Sequence, residues 1–92
     1  MRIEVVDAVE QQRFEGYHDG VLAGFIEYRR EEPNRLALTH AETFPAHAGR
    51  GVASAIAGHA LDVIRQQGMS VRAACSFVAD YLTRHPEYAD LT

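Results

Sequence analysis

Gly49-Arg50-Gly51-Val52-Ala53-Ser54 ends a polar loop and opens the only long apolar-periodic stretch of the chain. The apolar residues that follow recur at helical spacing, at Val52, Ile56, Ala57, Ala60, Leu61 and Ile64. Residues spaced in this way share one side of a helix, so the sequence predicts a helix with one buried face. The run of small residues should therefore lie at the N-terminus of the main helix.

A glycine-containing entry to a helix has a chemical use. The first-turn N–H groups have no partner inside the helix, and the helix dipole adds partial positive charge at this end. Glycine also lets a ligand approach the backbone closely, so Gly49 and Gly51 suit a phosphate or pyrophosphate. The same pattern is typical of a plain helix-entry loop, and the local sequence leaves both interpretations open.

The composition predicts one small domain with no nucleic-acid partner. The 92 residues, 47% of them hydrophobic, are enough for a single core, so residues 1–92 should form one domain. The net charge is −4, and the nine basic residues are all arginine, scattered from Arg2 to Arg84. Such a chain has no basic stripe for a phosphate backbone.

Signals for export, membrane insertion and metal binding are missing from the sequence. The first residues lack an apolar signal core, and no apolar segment is long enough to span a bilayer. We therefore expect a cytoplasmic protein with no membrane partner. The five histidines do not have the spacing of a zinc site, so no metal is expected at His18, His40, His47, His59 or His85.

The first third of the chain is typical of antiparallel strands. Ile3 to Val6 is rich in β-branched residues, and Arg13 to Tyr17 alternates polar and aromatic side chains. Asp19-Gly20 then predicts a tight hairpin turn into a return strand over Val21 to Tyr28. The polar segments Asp7 to Gln12 and Glu31-Glu32 should be solvated surface.

The next strand, Arg35 to Phe44, changes character along its length. Counting by twos places one set of side chains on a common face: Leu36, Leu38, His40, Glu42 and Phe44. The set is apolar at its start and carries polar side chains near its end. This pattern is typical of a strand that leaves the core for a functional site.

Beyond the glycine loop the chain reads as helix, strand and helix. Gln66 to Gly68 should end the long helix, and Met69 to Ala74 predicts a short strand. Ser76 can cap a second helix, which His85-Pro86 should stop. The single cysteine, Cys75, is either a small buried residue or a reactive thiol. The prediction is an α+β (α/β) fold, an antiparallel meander followed by a βαβα unit.

These residues resemble the small YjdJ-type branch of the GNAT N-acetyltransferases from about His40 to Leu91. The resemblance rests on His40-x-Glu42, the glycine loop, Cys75-x-Phe77, Tyr81 and His85-Pro86-Glu87-Tyr88. It implies a minimal acyl-CoA N-acyltransferase fold with a splayed central strand pair. It also implies acetyl-CoA as co-substrate and an amine acceptor, which could be a peptide or protein.

The resemblance also implies which residues contact the acetyl-CoA. The pantetheine arm would follow the outgoing strand, and the pyrophosphate would lie on the glycine loop. The implied contacts are Thr43, Phe44, Gly49, Arg50, Gly51, Val52, Ala53, Ser54 and Phe77. The chain departs from the family pattern at Ala48, where an arginine or glutamine is usual, and at Ser76, where the family has proline.

Acetyl transfer to an amine needs a base for the amine proton and an acid for the departing thiolate. The resemblance implies that Glu42 or His40 is the base and that Tyr81 or Cys75 is the acid. In a second route the thiolate of Cys75 takes the acyl group first. The sequence does not choose between these routes.

The acceptor side should be open. Only about half a dozen residues separate Val6 from Arg13, which is too few for a pair of helices between the first two strands. Three functions fit the chain: an N-acetyltransferase, a CoA-binding module with little catalysis, and a small protein-interaction domain.

Overall fold

A computed structural model describes residues 2–92 as one five-stranded sheet in the order β1-β2-β3-β4-β5, with two α-helices. The strands are β1 Glu4–Ala8, β2 Arg13–His18, β3 Val21–Glu31, β4 Arg35–Thr43 and β5 Ser70–Ala73. The helices are α1 Val52–Gln66 and α2 Ser76–Arg84, with 3-10 turns at Val9–Gln11, Pro45–His47 and Pro86–Leu91. Strands β1 to β4 pair antiparallel and β4 pairs parallel with β5, which confirms the meander followed by a βαβα unit.

The β2–β3 turn and the start of α1 form where the sequence predicts them. Asp19 and Gly20 have φ values of 50° and 79°, as a two-residue hairpin turn of this hand requires. Helix α1 begins at Val52 and buries the predicted face against the sheet, including Ile56 and Leu61 at 0% exposure. The packing of this apolar face against the sheet provides most of the stability of the helix.

The sheet has two different faces. Residues of both helices form one apolar cluster with Phe14, Ile26 and Leu38, and we call this side the core face. Within residues 2–92 no helix packs on the opposite side, which we call the open face. Long side chains cover its apolar residues instead, as the Arg13 guanidinium does 4.3 Å from the ring centre of Phe25.

A β-bulge in β4 makes the predicted facing of that strand wrong. Strand β3 pairs Glu27 with His40 but Tyr28 with Leu38, so Thr39 is an extra residue in β4. Leu38 lies on the core face, and the extra residue moves His40 and Glu42 to the open face. The sequence-based count by twos had placed Leu36 and Leu38 on the same face as those polar residues.

Strands β4 and β5 separate after a short parallel contact. Their register runs from the pair Arg35 and Ser70 to the pair Leu38 and Ala73, and the Ala74 N–H then donates to the Leu38 carbonyl at 3.0 Å. Strand β4 continues to Thr43 without β5. This separation is the predicted splay, and we call the space beyond it the gap.

Two smaller predictions need correction. Helix α2 takes Cys75 as its N-cap residue, with no side-chain cap, so Ser76 is the first helical residue and not the cap. In the segments predicted to be solvated surface, Asp7 is exposed as expected, whereas Glu31 is half-buried. Glu31 binds Arg72 at 2.8 Å, and Asp7 accepts a 2.7 Å hydrogen bond from the Tyr28 hydroxyl.

The β1–β2 connection is as short as the sequence predicts. It holds only the turn Val9–Gln11 and Gln12, so no helix stands between these strands. None of the helices described in residues 2–92 has the length and apolar character to cross a membrane.

Candidate functional site

The β4 edge that faces the gap has unpaired backbone groups. The Phe44 N–H donates to the Ala23 carbonyl of β3 at 2.9 Å, so this peptide group points toward β3. Since successive peptide groups alternate between the two edges of a strand, the N–H and C=O of Ala41 and Thr43 point into the gap. Unpaired groups of this kind can hydrogen-bond to an extended ligand that contains amides.

Gly24 makes this part of the sheet possible, and the sequence analysis missed it. A Cβ on Gly24 would lie 2.5 Å from the Glu42 carbonyl oxygen and 3.2 Å from the Thr43 Cα. Only glycine therefore lets β3 approach the outgoing half of β4 so closely. The available signal was a glycine in the interior of a predicted strand, which often marks such an approach.

The N-terminus of α1 lies after the end of β4, across the turn Pro45–His47. Gly49 and Gly51 have φ values of 77° and 74°, a region that favours glycine, and a Cβ on either would meet nothing within 4 Å. The first turn of α1 holds no acidic residue, and Gly51 gives it no side-chain cap. Its first amides are therefore available to an anion.

The remaining residues of this loop differ in exposure. The Val52 side chain is 1% exposed and belongs to the core, so only its backbone can face a ligand. Ala53 is half-buried, whereas Arg50 and Ser54 are exposed. Arg50 thus places a positive charge directly before the unpaired first-turn amides of α1.

His40 and Glu42 lie together on the open face. The His40 Nε2 is 3.6 Å from the Glu42 Oε1, and the two side chains are 53% and 48% exposed. The ring of Phe25 lies beside them, 6.2 Å from the His40 ring and 6.1 Å from that of Phe44. Either polar group can accept a proton from an amine that approaches over this face.

A second ionisable group on the open face is structural. Glu15 accepts hydrogen bonds from Tyr17 at 2.8 Å and Arg13 at 2.7 Å. The hydrogen bond from Tyr17, followed by the hydrogen bond and charge of Arg13, lowers the pKa of the Glu15 carboxyl against the effect of burial. Its neighbours therefore favour the ionised form of this carboxylate and hydrogen-bond to both of its oxygens.

Cys75 stands where β5 leaves β4. It follows Ala74, the last residue that bonds to β4, and it is half-buried against the core. As the N-cap residue of α2 it lies beside the unpaired first-turn amides of that helix. The position fits both the packing role and the reactive role.

Tyr81 and Phe77 lie on α2. Tyr81 is 7% exposed, stacks on His85 with ring centres 3.9 Å apart, and points its hydroxyl at Gly58, where a Cβ would lie 3.0 Å away. Burial, followed by the charges of Glu87 and Asp62, raises the pKa of Tyr81. Its phenol is therefore protonated at neutral pH. Phe77 packs against the core, 6.4 Å from the Tyr81 ring.

The structure thus divides the predicted catalytic residues into two groups. His40 and Glu42 are neighbours on the open face, whereas Cys75 and Tyr81 pack with the core cluster. The gap begins between these two groups, because β4 carries the first and the end of β5 leads into the second. In residues 2–92 no group of three or more His, Cys, Asp or Glu side chains is placed to hold a metal ion.

Comparisons with known proteins agree with this fold. The family model described as GCN5-related N-acetyl-transferase matches residues 13–91. A GCN5-like protein from Staphylococcus aureus superposes with a TM-score of 0.74 at 20% identity, covering 96% of this chain and 85% of that one. No curated protein matches the sequence.

Two further solved structures are similar over part of their length. Ard1 from Thermoplasma volcanium has a TM-score of 0.64 at 18% identity, covering 84% of this chain and 56% of its own. Nourseothricin acetyltransferase has a TM-score of 0.53 at 35% identity, covering 64% of this chain and 36% of its own. This chain belongs to the GCN5-related N-acetyltransferase family, since the family model spans most of its length.

Proposed function

We propose that this member of the GCN5-related N-acetyltransferases binds acetyl-CoA in the gap and transfers the acetyl group to an amine. The observation that supports it most is that an unpaired strand edge leads, through one short turn, to a glycine-capped helix N-terminus. The first fits amides and the second fits phosphates, and acetyl-CoA carries both groups in one chain.

The ligand would lie along β4 and end on α1. Its pantetheine amides would pair with the gap-facing backbone of Ala41 and Thr43, beside Phe44, much as an added strand pairs with a sheet edge. Its pyrophosphate would bind the amides from Gly51 to Ser54, with Arg50 adding charge. Since Ala48 offers no side-chain donor, the backbone would carry more of the binding than is usual in the family.

The chemistry follows from the groups beside the gap. The amine nitrogen attacks the thioester carbonyl carbon, a C–N bond forms, and the C–S bond breaks with its electron pair on sulfur. His40 or Glu42, on the open face, would take the amine proton. Tyr81 or Cys75 would protonate the departing thiolate, and the raised pKa of Tyr81 keeps its proton in place for that step.

Calorimetry and thermal unfolding with acetyl-CoA test the binding step. A ligand that binds only the folded state stabilises it by mass action, so the melting temperature should rise with acetyl-CoA concentration. CoA should act similarly, because the phosphates and the pantetheine amides are common to both. A flat titration at millimolar acetyl-CoA would overturn the proposal.

Single substitutions then assign the base. His40→Gln and Glu42→Gln each keep a polar group and remove the proton acceptor, so the essential one should lower kcat by on the order of a hundredfold. Acetyl-CoA affinity should stay within about twofold in both variants, because neither side chain points into the gap. Full activity in both would place the base elsewhere.

A catalytically weak CoA-binding module is the second candidate, and the short β1–β2 connection favours it. No helix between these strands shapes an acceptor site, so the open face is exposed to solvent. Turnover with a panel of amines separates the two functions, because the module would bind acetyl-CoA without using it up. An interaction domain would do neither.

A further inference from the structure

A cavity of about 380 Å³ opens beside the β4 bulge. Its lining residues come from the β1–β2 connection, β3 and the bulge: Gln11, Gln12, Glu27, Tyr28, Arg29 and Thr39. Strand β2 begins at Arg13 and pairs with β3 no further than Glu27, and the next β3 residue, Tyr28, donates its N–H to the Gln12 carbonyl at 2.9 Å. The cavity is therefore an open depression at the end of β2, lined by residues of both the connection and the strands.

Two opposite charges stand in this cavity. Glu27 and Arg29 are two residues apart on β3, so both project from the open face about 7 Å apart along the strand. Neither forms an ion pair within residues 2–92. The neighbouring charges are already engaged, since Arg13 binds Glu15 and Arg72 binds Glu31.

A cationic partner should stabilise the half-buried Glu27 carboxylate more than it would stabilise an exposed one. Its cross-strand neighbour on β2 is Arg13, but that guanidinium is turned onto Glu15 and the Phe25 ring. A partly desolvated carboxylate with no fixed partner is stabilised by an incoming ammonium group. The exposed Arg29 offers a bidentate site for a carboxylate of the same ligand.

The cavity lies next to the proposed site of chemistry. Glu27 and His40 are directly paired across β3 and β4, so their Cβ atoms lie about 5 Å apart. Thr39 lines the cavity and immediately follows Leu38, where β5 leaves β4. Strand β3 forms the wall of the cavity and β4 borders the gap. The two strands are therefore one strand spacing, about 4.8 Å, apart.

We propose that this cavity binds the acetyl acceptor, and that the acceptor is a small amine which also carries a carboxylate, of amino-acid or dipeptide size. The inference rests on the proposed acetyl transfer. Glu27 holds the ammonium, Arg29 holds the carboxylate, and the amides of Gln11 and Gln12 hydrogen-bond to the polar groups between them.

The position of Glu27 beside His40 connects binding to the reaction. The bound ammonium first loses one proton to water and becomes a neutral amine. Its nitrogen then forms the C–N bond with the acetyl carbonyl carbon of acetyl-CoA and passes its second proton to the base on the open face, while the C–S bond breaks and the sulfur takes a proton from the acid. Glu27 itself positions the acceptor and is not consumed.

Nuclear magnetic resonance titration with glycylglycine tests the site without turnover. We expect shifts at the amides of Gln11, Gln12 and Thr39, both for the protein alone and with saturating CoA. Glycylglycinamide, which keeps the amine and lacks the carboxylate, should bind at least about tenfold more weakly, because Arg29 loses its partner. No shift at these amides with or without CoA, or equal affinity for both ligands, would overturn the inference.

Matched variants test which side chains bind glycylglycine. Glu27→Gln and Arg29→Gln should each weaken glycylglycine binding by about tenfold and raise KM for it more than they change kcat. Glu10→Gln, in the adjacent turn, and Arg30→Gln, on the opposite side of β3, should leave binding unchanged. Unchanged binding in the Glu27 and Arg29 variants would place the ligand elsewhere.

The two proposals fail separately. If acetyl-CoA binds and is consumed with other amines while glycylglycine leaves the cavity amides unshifted, only the acceptor site is wrong. If glycylglycine shifts those amides while acetyl-CoA titrations are flat, the cavity binds its ligand and the acetyltransferase function fails.

Discussion

The two halves of β4 differ in both strand pairing and exposure. From Arg35 to Leu38 the strand is hydrogen-bonded on both edges, and Leu36, Ala37 and Leu38 are buried. From His40 to Thr43 it is paired on one edge only, and the side chains of His40 and Glu42 are exposed. One extra residue, Thr39, separates a half that stabilises the fold from a half that is free to bind.

The difference shows how a small domain can expose a candidate site while its core stays packed. Burial of apolar surface stabilises the first half, while the second half keeps backbone groups and polar side chains accessible to ligand. Substitutions in the two halves should therefore separate stability from activity.

The largest expected effect is on stability, in the first half. Leu38 is 0% exposed, so Leu38→Ala should lower the free energy of unfolding by about 2–5 kcal/mol through lost burial and a cavity. Glu42→Ala, in the second half, should change it by less than about 0.5 kcal/mol. Urea unfolding followed by circular dichroism measures both, and comparable losses would contradict the division.

The second prediction concerns ligand affinity at the end of the binding half. Gly51→Asp places a carboxylate where the pyrophosphate is proposed to bind, so acetyl-CoA affinity should fall at least about tenfold, equivalent to about 1.4 kcal/mol. Gly68→Asp is the matched control at the other end of α1. Gly51 and Gly68 have φ values of 74° and 69° and open space around them, so backbone strain should be similar.

Calorimetry compares the two variants at the same salt concentration. Loss of affinity in both would mean that strain, rather than charge at the phosphate position, weakens binding. Affinity unchanged in both would place the phosphates away from the N-terminus of α1.

The sequence was sufficient for the parts of the fold that local chemistry determines. The Asp19-Gly20 turn and the apolar period of α1 each have a short-range signal, and both are confirmed. The splay was predicted only through the family resemblance, since no local sequence signal predicts that β4 separates from β5 after Leu38.

The bulge at Thr39 was beyond the sequence, and its effect on the site is large. A bulge of this kind does not require a particular residue type, so nothing in the sequence at Thr39 interrupts the count by twos. The cavity was missed for a related reason: Gln12 is distant in sequence from Glu27 and Arg29, and strand register brings them together. The roles of the predicted catalytic residues remain predictions.

The third prediction concerns Cys75, which follows the point where β5 separates from β4. If it takes part in transfer, CoA should slow its modification by a thiol reagent, because the ligand would cover the start of the gap. Cys75→Ala should then reduce kcat while the free energy of unfolding falls by no more than about 1 kcal/mol. Cys75→Ser keeps the size and loses the thiolate, so it separates chemistry from packing.

The opposite pattern would assign Cys75 to the core. Labelling would then be slow and insensitive to CoA, and both variants would retain kcat. Tyr81 would remain as the candidate acid, and Tyr81→Phe would be expected to lower kcat without changing acetyl-CoA affinity.

The smallest expected effect is at the junction itself. The Thr39 hydroxyl donates to the Glu27 carbonyl at 3.3 Å from a half-buried position, so Thr39→Val should cost only about 0.5–1 kcal/mol of unfolding free energy. The bulge should persist, because backbone pairing on both sides of it fixes the register and valine suits a strand. His40 and Glu42 would then stay on the open face, and kcat with acetyl-CoA should change by less than about twofold.

A large loss of kcat with little loss of stability would show that the hydroxyl, and not the register, determines which face His40 and Glu42 occupy. Amide exchange at Ala41 and Thr43 distinguishes these cases, since these gap-facing amides should exchange equally fast in both proteins if the register is unchanged.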